Sequence, residues 1–170
     1  MVLIRPFAAD DAAEVNATAL EAFAQYRNVY DDWDRLAQGV GAMASLADTG
    51  ELIVAVVPAA GIVGAVAYFG PGSTPRAEFF EAHWAIIRML VVRPCARRRG
   101  IGRRLTEECI ARARRDGAPL VALHTSPLME AALGMYLRMG FELVGRVPDR
   151  FGVPYGVYIL NLRPPSAASR

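Results

Sequence analysis

The sequence predicts a mixed α/β (α+β) fold, in which helices cover both faces of a mixed β-sheet. In the middle of the chain, strand-like apolar runs alternate with segments of helical periodicity, and at both ends strands follow one another in pairs. A chain of 170 residues without repeats or a long linker is normally one domain. We therefore expect one domain over residues 1–163, followed by a frayed tail, 164–170, reading PPSAASR.

The first elements are a strand and two helices. VLIRPFA predicts the first strand. Asp10 or Asp11 can cap a helix that runs to about Phe23. A second helix is predicted over residues 33–47, ending near Gly50.

The next segment, Leu52 to Gly70, has no charge in nineteen residues and admits two interpretations. It is just long enough for a membrane span. Its valines and isoleucines, with Pro58 and Gly61 where a turn belongs, favour a hairpin instead. We therefore predict strands over residues 51–57 and 62–69 and expect no membrane association; the acidic N-terminal region also argues against a secretory signal.

The second half of the chain alternates strands and helices. WAIIRMLVV predicts a strand buried on both faces, which Pro94 ends. An amphipathic helix and its stop at Gly117 follow, and PLVALHT is the next strand. LMEAALGMYLRMG predicts a helix, and FELVGRV and YGVYILNL a final strand pair. The apolar faces of the two helices are predicted to consist of Ile101, Leu105, Cys109 and Ala113, and of Leu128, Ala132, Met135 and Met139.

Composition and charge exclude several classes of protein. With 54% hydrophobic and 21% charged residues, the chain is globular rather than disordered. Its net charge of +2 is too small for a general nucleic-acid binder, and we expect no nucleic-acid partner. The two cysteines have neither disulfide nor metal-site spacing, which predicts reduced thiols, a cytoplasmic location and no metal.

Positive charge is concentrated in one segment. Residues 93–115 contain nine arginines against Glu107 and Glu108, a local charge of +7, so the rest of the chain carries −5. Within it, RRRGIGRRL places two glycines where a helix begins after a buried strand. Free N–H groups at such a helix start favour an anion, and glycine lets a phosphate approach the backbone. The chain has no lysine for a P-loop, and Leu105 stands where a dinucleotide fingerprint needs its third glycine.

Two motifs resemble the GNAT superfamily of acetyl-CoA-dependent N-acetyltransferases. MLVVRPCARRRGIGRRL resembles that family's strand-4, loop and helix segment, whose Arg/Gln-x-x-Gly-x-Gly/Ala motif binds the acetyl-CoA pyrophosphate. AALGMYLRMGF resembles a later helix of the family, about forty residues on. The resemblance implies a mostly antiparallel sheet with a parallel, splayed strand 4 and strand 5, and acetyl-CoA as cosubstrate.

The resemblance also implies where the cosubstrate binds. Unpaired backbone at the end of strand 4 would hold the pantetheine arm and the thioester oxygen, through Val91 or Val92. The backbone and side chains of the glycine-arginine turn would hold the phosphates. The implied binding residues are Leu90, Val91, Val92, Arg97, Arg98, Arg99, Gly100, Ile101, Gly102 and Arg103.

The resemblance makes Tyr136 the general acid that protonates the leaving thiolate. In many relatives a glutamate on strand 4 is the general base, and this chain has Ile86 at that position. Glu81 or His83, just upstream, is the replacement base by proximity; His124 is a further candidate, and deprotonation through water stays open. Cys95 has no base paired with it in the sequence, so direct attack in a ternary complex is expected rather than an acetyl-Cys intermediate.

The acceptor is expected to be a primary amine on a small molecule or a peptide. Phe23, Tyr26, Tyr30 and Trp33 recur at helical spacing, as core residues do, and in the family this region often walls the acceptor site. A non-catalytic acyl-CoA-binding sensor or interaction module is the alternative function, which the missing Glu favours and Tyr136 opposes. The oligomeric state stays open, with a homodimer as one option.

Overall fold

The computed structural model describes residues 1–163 and builds them into seven strands and four α-helices. The proposed tail, 164–170, lies outside the described residues, and the domain boundary at 163 stays a prediction. The strands are β1 (Leu3–Pro6), β2 (Glu51–Val57), β3 (Gly61–Phe69), β4 (Ala85–Val92), β5 (Leu120–Thr125), β6 (Glu142–Arg150) and β7 (Val153–Asn161). The helices are α1 (Ala12–Phe23), α2 (Trp33–Val40), α3 (Ile101–Arg115) and α4 (Glu130–Arg138).

The strands form one mixed sheet in the order β1-β2-β3-β4-β5-β7-β6. All neighbouring pairs are antiparallel except β4 and β5, which run parallel. The α3 crossover joins this parallel pair, as parallel strands require. The predicted fold class, with hairpins at both ends of the chain and one parallel pair, is thus confirmed.

Helices cover both faces of the sheet, as predicted. On one face, α1 and α2 bury Val15, Ala19 and Leu36 against β2, β3 and β4. On the other, α3 and α4 bury Leu105 and Tyr136. Four-residue spacing correctly predicted the buried face of α3, since Ile101, Leu105, Cys109 and Ala113 are all in the core.

The second helix is shorter than predicted. It ends at Val40 rather than at residue 47, and a 3₁₀ turn, Met43–Asp48, follows it. Two glycines weaken the end of α2, because glycine has low helix propensity. At Gly41 a Cβ would lie 3.1 Å from the Ala37 oxygen and 3.2 Å from a Leu20 side-chain carbon, so α1 packs where a side chain would extend.

The last hairpin is longer than predicted, and the last helix begins later. β6 reaches Arg150 and β7 starts at Val153, although both strands contain a proline. A register shift between Val147 and Arg150 and the position of β6 at the sheet edge accommodate Pro148, and Pro154 of β7 precedes Gly156, where the pairing with β5 begins. Leu128, predicted on the apolar face of α4, precedes the helix and is 48% exposed.

The uncharged segment between residues 52 and 70 forms the β2–β3 hairpin, which confirms the prediction. Both strands are almost fully buried because the sheet is covered on both faces. Across residues 1–163, no helix is both long and apolar enough to cross a membrane.

Candidate active site

The strands β4 and β5 separate soon after they meet. Only Ala85 with Val121 and Ile86 with Ala122 are paired, so the rest of β4 has no ladder with β5. A bulge accompanies the separation: Met89 has a φ of 56°, and the β3–β4 register shifts opposite it. The backbone of Leu90 to Val92 is therefore unpaired on the β5 side, as the family resemblance implied.

A cavity of about 190 Å³ occupies the gap between the two strands. It reaches both faces of the sheet: Leu90 and Tyr136 contact the α3–α4 side, whereas the His124 ring contacts aromatic side chains of the α1–α2 side. A molecule lying in the gap can thus be reached from both faces. The lining residues from the sheet, α4 and the final hairpin are Ile87, Arg88, Met89, Leu90, Leu123, His124, Thr125, Met129, Ala132, Tyr136, Arg150 and Tyr155.

The start of α3 presents free main-chain donors next to this gap. Arg98 (φ 60°) and Gly100 (φ 73°) are left-handed, and no side chain caps the helix. The Arg104 N–H donates to the Gly100 carbonyl at 3.0 Å, so the N–H groups from Gly100 to Arg103 precede the helical hydrogen-bond ladder. Such a turn at a helix N-terminus forms a concave anion site.

Gly102 leaves room between β4 and α4. A Cβ at this position would meet only the Met135 sulfur at 3.5 Å and carbons of Leu90 at 3.7 Å and Val92 at 3.8 Å. The position therefore tolerates a methyl group, but a longer side chain would extend between β4 and α4. This narrow space, bounded by Gly102, Leu90, Val92 and Met135, forms a cradle next to the α3 start.

The arginines of the turn have different roles. The Arg97 guanidinium donates to the carbonyls of Val92 at 3.3 Å and Ala22 at 3.0 Å, so it fastens the loop to the end of α1. Arg103 pairs with Glu107 at 2.8 Å. Arg98 and Arg99 are exposed, and neither forms an ion pair within residues 1–163. These two side chains are free to meet an anion at the turn.

Tyr136 lies in the cavity wall, with its ring packed against Phe141 at 5.4 Å between centroids. The residue is only 4% exposed, and burial raises the pKa of its phenol. The phenol therefore stays protonated at neutral pH, as a proton donor must. The same desolvation would make a thiolate beside it more basic.

His124 also lies in the cavity wall, with its ring stacked on Phe80 at 5.8 Å and edge-on to Phe79 and Tyr155. Burial, together with the charges of Arg150 and Arg88, lowers the pKa of the imidazole to about 4. Its Nδ1 is buried without a hydrogen-bond partner in the described part of the chain. The ring is thus neutral at physiological pH and can accept a proton.

The two base candidates proposed from proximity are placed differently. Glu81 and His83 are exposed on the loop before β4, and neither lines the cavity. Ile86 is 2% exposed, so the apolar side chain that replaces the family's Glu is part of the core. The structure therefore brings His124, and not Glu81 or His83, into the same cavity wall as Tyr136.

Sequence reasoning overlooked Arg88 and Arg150, which both line the cavity. Arg88 is a charge in an otherwise apolar run, AIIRMLVV, and this could have singled it out. Arg150 gave no comparable signal because it ends an exposed edge strand.

The N-terminal aromatic residues divide between cavity and core. Phe23 lines the cavity. Tyr30 is buried, and its hydroxyl shares a hydrogen bond with that of Tyr155. Tyr26 and Trp33 pack, partly buried, against the α1–α2 core. Cys109 is buried, which raises the pKa of its thiol to about 12, whereas Cys95 is exposed.

The profile of the acetyltransferase (GNAT) family matches residues 12–141, a range that includes the separating strands and the α3 start. This chain belongs to the GNAT family. The resemblance stated from its two motifs is thereby confirmed. A comparison with curated protein sequences gives no match.

Solved structures of GNAT acetyltransferases share this fold. A GNAT acetyltransferase from Staphylococcus aureus aligns with a TM-score of 0.74 at 17% identity, covering 96% of this chain and all of that one. A Salmonella typhimurium acetyltransferase solved with its cofactor acetyl-CoA aligns with a TM-score of 0.69 at 18% identity, covering 99% of this chain and 98% of that one. A ribosomal-protein-alanine N-acetyltransferase from Brucella melitensis aligns with a TM-score of 0.68 at 24% identity, covering 94% of this chain and 99% of that one. At these identities, the likeness concerns the fold.

Proposed function

We propose that this GNAT-family acyltransferase moves the acetyl group of acetyl-CoA to a primary amine by direct attack in a ternary complex. The observation that carries the proposal is that three features are adjacent. They are the unpaired backbone of β4, the start of α3 with its free N–H groups, and the Gly102 cradle between them. Together they fit a long, amide-rich thioester that ends in a diphosphate. The Salmonella typhimurium protein of the same fold was solved with its cofactor acetyl-CoA, which supports this choice of donor.

Main-chain groups hold the donor in this proposal. The N–H groups from Arg98 to Arg103 bind the pyrophosphate, with the helix dipole favouring its charge. The side chains of Arg98 and Arg99 are available to further phosphate oxygens. The backbone of Leu90, Val91 and Val92 pairs with the pantetheine amides, and an N–H of Val91 or Val92 polarises the thioester carbonyl.

Two side chains handle the protons. The amine nitrogen attacks the carbonyl carbon, the new C–N bond forms, and the C–S bond breaks. Tyr136 donates its phenolic proton to the departing thiolate. His124 takes the proton from the amine in preference to Glu81 and His83, because it lines the cavity and they do not. If a His124→Gln variant keeps the wild-type pH–rate profile, the amine loses its proton to water instead.

Acetyl-CoA binding is the first test. We expect calorimetry to show binding heat, and saturation at 100 times Kd to stabilise the fold by about 2.7 kcal/mol. A Gly102→Leu variant should lose binding because its side chain fills the cradle. Its free energy of unfolding is measured as well, since leucine gains up to about 1 kcal/mol of helix propensity over glycine while overpacking costs about 1 to 3 kcal/mol. Gly102→Ala is the matched control and should lose less of its affinity for acetyl-CoA than Gly102→Leu does.

A thiol-release assay with a panel of primary amines then separates enzyme from sensor. Acceptor-dependent release of coenzyme A supports acetyl transfer. Binding of acetyl-CoA without release of coenzyme A with any acceptor would instead support the non-catalytic acyl-CoA-binding module. The presence of Ile86 in place of a glutamate favours that alternative. A well-folded protein that neither releases heat nor gains thermal stability with acetyl-CoA would overturn both.

A further inference from the structure

The charge in the cavity wall is all of one sign. Arg88 and Arg150 line the cavity, and no aspartate or glutamate does so among the described residues. The one titratable imidazole of that wall, His124, is neutral because burial and the two arginines lower its pKa to about 4. Whatever occupies this cavity therefore meets two positive charges and no negative one.

Arg88 lies at the point where the strands separate. Ile86 pairs with Ala122, and Arg88 and His124, two residues further along each strand, line the cavity that opens between the strands. The Arg88 guanidinium is over the Phe69 ring, 5.6 Å from its centroid. The residue is partly buried, and it makes no ion pair with any residue between 1 and 163. A charge held partly out of water without a counterion is unfavourable unless a ligand supplies one.

Arg150 approaches the same place from the final hairpin. It ends β6, immediately before the tight turn at Phe151 and Gly152, and it too has no ion pair within the described range. Burial, and then the charge of Arg150, lowers the pKa of Arg88. Two like charges that approach each other with no partner form a ready site for an anion, since guanidinium groups match carboxylate and phosphate oxygens in bidentate geometry.

We propose that Arg88 and Arg150 bind an oxyanion of the acceptor, so that the substrate is a small primary amine that also carries a carboxylate or a phosphate. This inference rests on the proposed acetyl transfer. The cavity volume is about 190 Å³, which suits a small compound such as one the size of an amino acid. A polyamine is disfavoured because the wall would repel its second charge.

Such a substrate would also assist its own deprotonation. The groups that face His124 are Arg88 from β4, Arg150 from β6, Tyr155 from β7 and the loop aromatics Phe79 and Phe80. An oxyanion on the two arginines offsets their part of the lowered pKa of His124, whereas burial, which is the larger cause, stays. The bound acceptor thus raises the pKa of the imidazole only in part.

Matched amines test the proposal with the full-length protein and acetyl-CoA. The common α-amino acids are compared with their carboxamides, and phosphoethanolamine with ethanolamine. The preferred acid should exceed its neutral partner in kcat/KM by about 10-fold or more, the range expected for hydrogen bonds to a charged group when Arg88 is partly buried and Arg150 is exposed. A preference in the phosphate pair alone assigns a phosphate, and one in the carboxylate pairs assigns a carboxylate.

Variants connect this preference to the two arginines. Arg88→Gln and Arg150→Gln should each reduce the preference to less than a few-fold, while the Kd for acetyl-CoA stays unchanged. Arg146→Gln is the control, because this exposed β6 arginine does not line the cavity. Equal turnover of acids and neutral partners, or a preference that survives both substitutions, would overturn the assignment.

A binding measurement keeps this result separate from failure of the proposed function. Calorimetry with the coenzyme A-saturated protein measures the same amines without turnover. If no amine is acetylated but carboxylates or phosphates bind in an Arg88- and Arg150-dependent manner, the oxyanion site stands and the transfer reaction does not. If neither turnover nor such binding occurs, the oxyanion site is refuted as well.

Discussion

Replacing Tyr136 with phenylalanine tests the proposed general acid with little disturbance of the fold. The substitution keeps the ring that packs 5.4 Å from Phe141 and removes only the hydroxyl. Tyr155, the other tyrosine of the cavity wall in the described chain, shares its hydroxyl with Tyr30 and contacts the α1–α2 side. No second phenol is therefore placed to replace Tyr136 beside Leu90.

The expected effects on turnover and stability differ in size. General acid catalysis contributes about 10²- to 10⁴-fold, so Tyr136→Phe should lower kcat by that factor, or about 2.7 to 5.4 kcal/mol in activation free energy. Stability should change little, by about 1 kcal/mol or less, because Tyr136 makes no side-chain hydrogen bond among the described residues and its phenol is already desolvated.

The assay is thiol release at saturating acetyl-CoA and the best amine of the panel, with the free energy of unfolding measured in urea. Tyr158→Phe is the matched control: it is 5% exposed and packs in the same α3–α4 core, but it does not line the cavity. Full turnover by Tyr136→Phe, or an equal loss in both variants, would refute the assignment of Tyr136 as the acid.

Two further predictions concern stability. The folded protein holds His124 neutral, with a pKa of about 4 against 6.5 in the unfolded chain, so this residue's contribution is present above pH 6.5 and is lost as the pH falls towards 4. His124→Gln should remove at most about 3 kcal/mol of that acid-dependent loss. The free energy of unfolding in urea is measured for wild type and variant at several pH values across this range. If it falls equally in both proteins, the burial effect is contradicted. Leu105 is fully buried where α3 packs closely over Gly64: one of its side-chain carbons lies 3.2 Å from the position that a Cβ on Gly64 would take. Leu105→Ala should therefore lower the free energy of unfolding by about 2 to 5 kcal/mol. A loss below about 1 kcal/mol would show that α3 does not pack as described.

Local patterns in the sequence predicted most of the fold. Period-two and fully apolar runs identify strands, and four-residue spacing identifies helix faces, because these periods follow from backbone geometry. The errors occurred where tertiary contacts override propensity. Gly41 ends α2 against Leu20, and the edge position of β6 lets that strand continue through Pro148.

The donor end of the proposed site was also accessible from sequence. Its groups are contiguous main-chain atoms between Leu90 and Arg103, so their placement depends on one strand, one turn and one helix start. The free N–H groups of that turn follow from helix geometry alone.

The acceptor end of the proposed site was decided by tertiary structure. Arg88, His124, Tyr136 and Arg150 are separated by up to 62 positions in the numbering and meet only because β4 and β5 part after two pairs and the final hairpin folds back over the gap. The sequence by itself determined the fold class and the turn that is suited to a diphosphate, since both depend on short-range patterns. The positions of His124, Arg88 and Arg150 in the cavity wall depend on register between distant strands, which no local pattern encodes.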